Sequence, residues 1–190
     1  LALGGDATRE QRTAALDRLA RYTGLERRYL DLSDLRVPIQ NFCKELMRSE
    51  RRTVGRLDSR FTGVDDRVVS ETPEFDPSMA AIRPPYTAMF NQYVRAELGY
   101  KTDLTYHILG GGIGPWDWGS AGSGFADVSG ALRAAFSRNP DMRLFVASGY
   151  YDLATPYFAT DYTLAHLRLE PSERARVTTR ALALSWIGSV

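Results

Sequence analysis

The feature that most constrains the fold is a strand, a turn and a helix encoded between Pro140 and Leu169. The apolar run from Met142 to Ala147 has turn residues on both sides, which predicts a buried strand. The chain then turns at Gly149, and Asp152 follows just past the carboxyl end of that strand. Thr155-Pro156 predicts a helix start, with a hydroxyl cap followed by proline at the first helical position. Such a unit places a functional residue in the crevice beyond the strand ends of an open α/β sheet.

The first fifty residues carry a helical pattern. Thr8 and Gln11 are spaced for a capping box, and Gly24 is a natural C-cap, so the first helix should lie between them. A short second helix is expected from about Leu25. A third should begin near Ser33 or Pro38, with one apolar and one charged face.

The middle of the chain predicts a strand, a loop and a long helix. Val54 to Phe61 alternates loosely, as a short strand does, and residues 62 to 85 are rich in turn-forming and polar residues, as a long loop is. Pro84-Pro85 then predicts the start of a helix that ends at Gly99. The apolar residues of that helix recur at helical spacing and should form its buried stripe: Tyr86, Met89, Phe90, Tyr93, Val94 and Leu98.

From Thr102 onward the pattern is that of an α/β protein. Leu104 to Ile108 alternates like a strand. Asp127 or Ser129 should cap a helix whose apolar residues, Val128, Leu132, Ala135 and Phe136, face inward. The stretch from Gly110 to Gly124 is glycine-rich but fits neither a dinucleotide fingerprint nor a phosphate loop. Its two tryptophans should either pack, which we favour, or line a pocket. One more strand is expected over 176–184.

Composition excludes several function classes. With 190 residues, 44% of them apolar, the chain can bury a core of one domain or parts of two. A net charge of +1 argues against nucleic acid or an anionic membrane as the main partner. No apolar run approaches the roughly 18 residues of a membrane span. Cys43 is the single cysteine, and His107 and His166 lie far apart, so we expect no metal site and no cofactor.

Several motifs together point to one family. The segment GYYDLATPYFATDYTLAHL, which contains Asp152, resembles the segment bearing the catalytic acid in serine carboxypeptidase-like α/β hydrolases, in particular their bacterial branch. Four further motifs occur in the order expected for that branch: VGRLDSRFTG from Val54, DPS from Asp76, ELGY from Glu97 and WDW from Trp116. The resemblance covers roughly residues 35 to 170.

The resemblance implies an α/β chain with a partial α/β-hydrolase fold. Residues 1–101 would form the helical cap or insertion region, and residues 102–190 the C-terminal part of the hydrolase core. Asp152 would be the acid of a Ser-Asp-His triad, the only member of the triad in this chain. No serine lies in G-x-S-x-G, and the family's histidine motif, expected near Ala181, is replaced by ALALSWIGSV.

The implied activity is that of a serine carboxypeptidase, which cleaves C-terminal residues from peptides through an acyl-enzyme. The substrate would be a peptide or a related acyl compound, and the resemblance suggests a secreted or periplasmic protein. The 190-residue chain alone should be inactive. Two alternatives stay open: an esterase or acyltransferase on the same scaffold, and a non-catalytic α/β binding module.

Neither histidine fits the triad, and the sheet is incomplete. His166 should lie on the surface of the helix after Asp152, and His107 should be a structural residue within a strand. Without neighbouring strands, the run from Met142 to Ala147 would keep unpaired edges, which invite association. We therefore expect the isolated chain to pair with a companion chain or to self-associate.

Overall fold

A computed structural model describes residues 6–109, 114–119 and 127–182, with no side-chain detail after residue 178. The architecture is mixed, with helices and two small sheets in two compact units, residues 1–81 and 82–190. In chain order the elements are α1 (Arg9–Thr23), α2 (Arg27–Leu32), α3 (Ile39–Glu45), a 3-10 turn (Arg48–Glu50), β1 (Arg52–Val54), β2 (Thr62–Val64), α4 (Pro77–Gln92), a π turn (Tyr93–Glu97), α5 (Ser129–Arg138), β3 (Leu144–Gly149), α6 (Tyr157–Ala165), α7 (Pro171–Arg174) and β4 (Val177–Leu182). No helix in these described ranges is long and apolar enough to cross a membrane.

The first unit begins with the helix that the sequence predicts. The Gln11 amide donates to Thr8 Oγ1 at 3.2 Å and the Thr8 amide donates to Gln11 Oε1 at 2.9 Å, which completes the capping box. Gly24 ends α1 with φ of 74°, a conformation that favours glycine. Both predicted caps are confirmed. The small core beneath these helices is formed by buried leucines: Leu16, Leu25 and Leu30.

A hairpin with a seven-residue connection, residues 55–61, replaces the strand expected over residues 54–61. β1 and β2 pair antiparallel, with Arg52 opposite Val64 and Val54 opposite Thr62. The expected strand is wrong because Asp58 turns the chain: its carboxylate accepts from the Arg60 amide at 3.0 Å and binds the Arg60 guanidinium. The long loop expected over 62–85 is also wrong, because it begins as β2 and ends inside α4.

Helix α4 starts seven residues earlier than its two prolines suggest. Asp76 Oδ1 accepts from the Ser78 amide at 2.9 Å, so Asp76 caps the helix and Pro77 takes its first position. Pro84 and Pro85 lie inside the helix. The sequence carried this signal, because a capping residue such as aspartate followed by proline marks a helix start, and Asp76-Pro77 fits that pattern.

The apolar stripe expected to be buried on this helix is exposed. Five of its six members, Tyr86, Met89, Phe90, Tyr93 and Leu98, are between 42% and 63% exposed. The strand expected over Leu104–Ile108 is also wrong, because residues 101–107 have no regular structure. Helical spacing identified the stripe, but within the described part of the chain no strand forms beside it to cover it.

The second unit contains the parallel pair of strands. β3 and β4 align with Leu144 opposite Val177 and Gly149 opposite Leu182, and α6 and α7 lie between them in the chain. The strand expected from Met142 is confirmed with a start two residues later. The strand expected over 176–184 is confirmed for Val177–Leu182, and its last two positions lie outside the described residues. One face of the sheet packs on a small core, formed by Phe136, Leu167, Leu169, Leu132, Met142, Leu144, Leu164 and Val177.

Two smaller expectations in this unit are wrong. Val128 was expected to face inward beside Phe136, but it is exposed because it precedes the first turn of α5. Trp116 and Trp118 were expected to pack, but both are exposed and contact each other, with ring centroids 6.3 Å apart. Proximity in the chain brings these two rings together, and the core of the unit does not include them.

Gly55 provides a test of the packing in the first unit. A Cβ at this position would lie 2.5 Å from the Asp58 carbonyl oxygen and 2.7 Å from Ser78 Cβ. Because a backbone oxygen cannot rotate away, we expect Gly55→Ala to lower the free energy of unfolding by about 1–3 kcal/mol in urea titrations. Gly130→Ala in α5 is the matched control, because its Cβ would meet nothing within 4 Å. Equal effects of the two substitutions would contradict this packing.

Candidate functional site

The candidate site is the turn that joins β3 to α6. The Asp152 amide donates to the Gly149 carbonyl at 3.3 Å, so the chain reverses immediately after the strand. A Cβ on Gly149 would lie 3.2 Å from Asp152 Cβ, which explains why glycine is suited to this position. Asp152 therefore lies just beyond the carboxyl end of a parallel strand, where the sequence predicted it.

Three donors from its own turn hold the Asp152 carboxylate. Oδ1 accepts from the Ala154 amide at 2.8 Å and the Thr155 amide at 3.1 Å, and Oδ2 accepts from Thr155 Oγ1 at 2.5 Å. A carboxylate has about four acceptor sites, so a half-buried group with three donors can accept one more. Thr155 was expected to cap α6, but its hydroxyl binds Asp152 and the cap position falls on Pro156.

Tyrosine rings lie around this turn. The Tyr150 ring stacks on Tyr157 with centroids 5.2 Å apart and meets the edge of Tyr151 at 5.3 Å. Tyr150 is about half exposed. The contacts link the residues just after β3 to the first residue of α6, so they fix the shape of the turn that carries Asp152.

Neither histidine is positioned to act with Asp152. His166 Nδ1 lies 2.7 Å from the Tyr162 carbonyl, and its ring stacks on the Tyr162 ring at 4.0 Å. His166 is exposed at the end of α6, as expected. His107 is exposed and lies outside any strand, so the structural role expected for it in a strand is wrong.

No candidate nucleophile stands out among the described residues. Burial, together with the charge of Asp76, raises the pKa of the Cys43 thiol to about 11, so this thiol is protonated and unreactive at neutral pH. Ser148 is half-buried in β3. Three of the serines considered in the sequence, Ser120, Ser123 and Ser185, lie outside the described residues.

A cavity of about 480 Å³ lies at the opposite end of β3 from Asp152. Its lining includes Asp141, Arg143 and Phe145, near the amino end of the strand. The groups needed for acyl transfer are not gathered there. The turn at Asp152 is therefore the better candidate site, because its carboxylate can still accept a hydrogen bond.

Within the described ranges, no three His, Cys, Asp or Glu side chains form a group that could hold a metal ion.

Two motifs of the first unit contact each other. Asp76 Oδ1, in the DPS motif, accepts from the Arg56 amide at 3.1 Å and from Ser78 Oγ at 2.5 Å. Ser78 Oγ in turn accepts from the Leu57 amide at 3.1 Å. This network joins the start of α4 to the turn after β1. The contacts of the VGRLDSRFTG and DPS motifs are therefore structural ones.

A buried ion pair was missed by the sequence reading. Lys44 Nζ lies 2.7 Å from Asp65 Oδ2, with the two side chains 1% and 2% exposed. Lys44 also donates to the Arg67 carbonyl, but neither oxygen of Asp65 accepts an aligned hydrogen bond within the described residues. The partners are 21 residues apart in the sequence, so no local pattern could reveal the pair.

Comparison with known proteins does not assign a family or a function to this chain. No protein-family model matches the chain, and no curated protein does so. No solved structure matches it either. The functional interpretation therefore depends on the residues around Asp152 and on the motif resemblance.

Proposed function

We propose that Asp152 is the acid of a Ser-His-Asp triad in a serine carboxypeptidase-like hydrolase, whose serine and histidine lie outside these 190 residues. The observation that carries the proposal is the remaining acceptor site on a carboxylate placed just beyond a parallel strand. Triad acids of α/β hydrolases follow a strand in this way. The order of motifs around Asp152 supports the same interpretation.

The proposed role of Asp152 is to orient a histidine. Its free acceptor site would accept a hydrogen bond from the Nδ1–H group of the imidazole, which leaves Nε2 as the base that removes the serine proton. The carboxylate would then stabilise the imidazolium that forms during acylation. Because Ala154 and Thr155 already hold the carboxylate, it need not reorganise when the histidine arrives.

The open edge and the exposed face of the sheet support the proposal that further polypeptide completes it. The Leu144 amide donates to the Arg176 carbonyl in the turn before β4, so the alternate amides of Phe145, Ala147 and Gly149 face the other edge of β3. Phe145 is 64% exposed on the face opposite the core. Parallel sheets are normally covered on both faces, so we propose that further strands and helices complete this sheet.

A non-catalytic module is the second candidate, and one observation favours it. All three donors to Asp152 come from the two residues Ala154 and Thr155, the arrangement of an ordinary side-chain turn. In that case Asp152 only shapes the loop and does not orient a histidine.

A substrate panel tests the proposed activity on the longer protein that the proposal implies. We expect release of the terminal residue from peptides with a free C-terminus and at least a tenfold lower kcat/KM on the same peptides with a C-terminal amide, because a carboxypeptidase binds the terminal carboxylate. Simple esters as the preferred substrates would favour the esterase, and no turnover of either class would favour the binding module. The 190-residue chain alone is the control and should be inactive.

A further inference from the structure

A surface groove of about 620 Å³ lies between α1 and α2 in the first unit. Its volume is within the roughly 300–1,000 Å³ of small-molecule sites. We name it the arginine groove, and its lining residues are Arg9, Arg12, Thr13, Leu16, Arg27, Arg28 and Asp31. Those from α1 recur at intervals of three or four positions, so they share one face of that helix. Two regular elements therefore position the side chains of the groove.

Two of the arginines in the groove are held by acids on the facing helix. Arg12 Nη2 lies 2.8 Å from Asp31 Oδ1, and Arg12 Nε donates to the same oxygen at 3.2 Å. Arg27 Nε lies 3.1 Å from Asp17 Oδ1. Exposed ion pairs of this kind add little stability, but these two join α1 to α2 and orient both guanidinium groups. Asp31, the acid in the lining, is thus already used by Arg12.

The other two arginines of the groove, Arg9 and Arg28, are not neutralised. Within the described ranges neither of them makes a hydrogen bond or an ion pair, and both side chains are exposed. Like charges that line one groove repel each other, so an anion bound between them relieves that repulsion as well as forming new contacts. The groove therefore offers two uncompensated guanidinium groups to a ligand.

We propose that the arginine groove binds a small phosphate monoester, with its phosphate group held by Arg9 and Arg28. A guanidinium group can donate two parallel hydrogen bonds to phosphate oxygens. A phosphate monoester carries a charge of about −1.5 to −2 at neutral pH, which matches two cations, whereas a carboxylate carries a single charge. The remainder of the ligand would lie beside Thr13 and Leu16 in the same groove. The proposal is independent of the catalytic role of Asp152.

Isothermal titration calorimetry of the 190-residue chain with benzyl phosphate tests this site. We expect saturable binding at a single site per chain, and benzyl alcohol, which lacks the phosphate group, should not bind. Inorganic phosphate in large excess should displace benzyl phosphate, because the arginines recognise the phosphate group itself. Benzyl phosphate that does not bind at millimolar concentration, or that inorganic phosphate does not displace, overturns the proposal.

Substitution of each unpaired arginine tests where the phosphate binds. Arg9→Gln and Arg28→Gln should each weaken the binding of benzyl phosphate by about tenfold or more, because each removes a charge-assisted pair of hydrogen bonds. Arg21→Gln is the matched control, because Arg21 is an exposed arginine of α1 that does not line the groove. Its dissociation constant should equal the wild-type value within about twofold. Equal weakening by all three variants would mean that net charge alone attracts the ligand, which contradicts the proposed site.

Arg28→Lys separates the guanidinium group from its charge. Lysine keeps the positive charge but cannot donate two parallel hydrogen bonds to one phosphate, so the binding of benzyl phosphate should weaken by about threefold to tenfold. Wild-type affinity in Arg28→Lys would contradict recognition by the guanidinium group. Circular dichroism should show unchanged helix content in every variant, because Arg9 and Arg28 make no hydrogen bond or ion pair to other described residues.

Discussion

Asp152→Asn should lower the kcat of the longer hydrolase by about 10⁴-fold, with KM changed by less than about threefold. An asparagine can keep the acceptor contacts to the Ala154 and Thr155 amides, so the turn should keep its shape. Its NH₂ group, however, cannot accept a hydrogen bond from the Nδ1–H group of a histidine, so the imidazole would adopt the wrong tautomer. Steady-state hydrolysis of the preferred peptide measures both constants.

Asp161→Asn is the matched control for this substitution. Asp161 is an exposed acid on α6, so its replacement makes the same change in charge on a neighbouring element. We expect its kcat to equal the wild-type value within about twofold. If Asp152→Asn keeps kcat within about tenfold of wild type, Asp152 is a turn residue and the binding-module alternative gains support.

Lys44→Met should lower the free energy of unfolding by about 3–5 kcal/mol, measured by urea titration of the 190-residue chain. The substitution leaves Asp65 as a buried carboxylate without a cation, while its oxygens have no aligned hydrogen bond among the described residues. It also removes the donor to the Arg67 carbonyl. The desolvation cost of the remaining charge, more than the lost attraction, produces this large effect.

Two further variants isolate the cause. Lys101→Met removes the other lysine, which is exposed, and should change the free energy of unfolding by less than about 0.5 kcal/mol. Lys44→Met/Asp65→Leu removes both charges and should recover most of the lost stability, because an apolar pair can replace a buried ion pair. A double variant as unstable as Lys44→Met would show that packing around Lys44, and not the charge of Asp65, sets the cost.

Local chemistry explains the features that the sequence could predict. The capping box at Thr8 and Gln11, the glycine at the end of α1 and the turn after β3 each depend on residues within a few positions of one another. Their interactions are short in sequence, so the residue types alone indicate the geometry. The same reasoning identified Asp152 as the residue at the end of the strand.

Features that depend on distant partners could not be predicted. Helical spacing shows that α4 has an apolar stripe but not whether another element covers it, and in the described residues the face is exposed. The Lys44–Asp65 pair joins α3 to the residue after β2, so only the folded chain reveals it. For the same reason the sequence identifies the proposed acid but not the histidine that would donate a hydrogen bond to it.

The central claim is that Asp152 serves a serine nucleophile located outside this chain. Fluorophosphonate labelling of the longer protein, with the modified serine mapped by peptide mass spectrometry, tests it most directly. We expect a single labelled serine outside these 190 residues, labelled at least 10³-fold more slowly in Asp152→Asn. A labelled serine within the chain, or a labelling rate that Asp152→Asn leaves unchanged, would contradict the assignment of Asp152 as the triad acid.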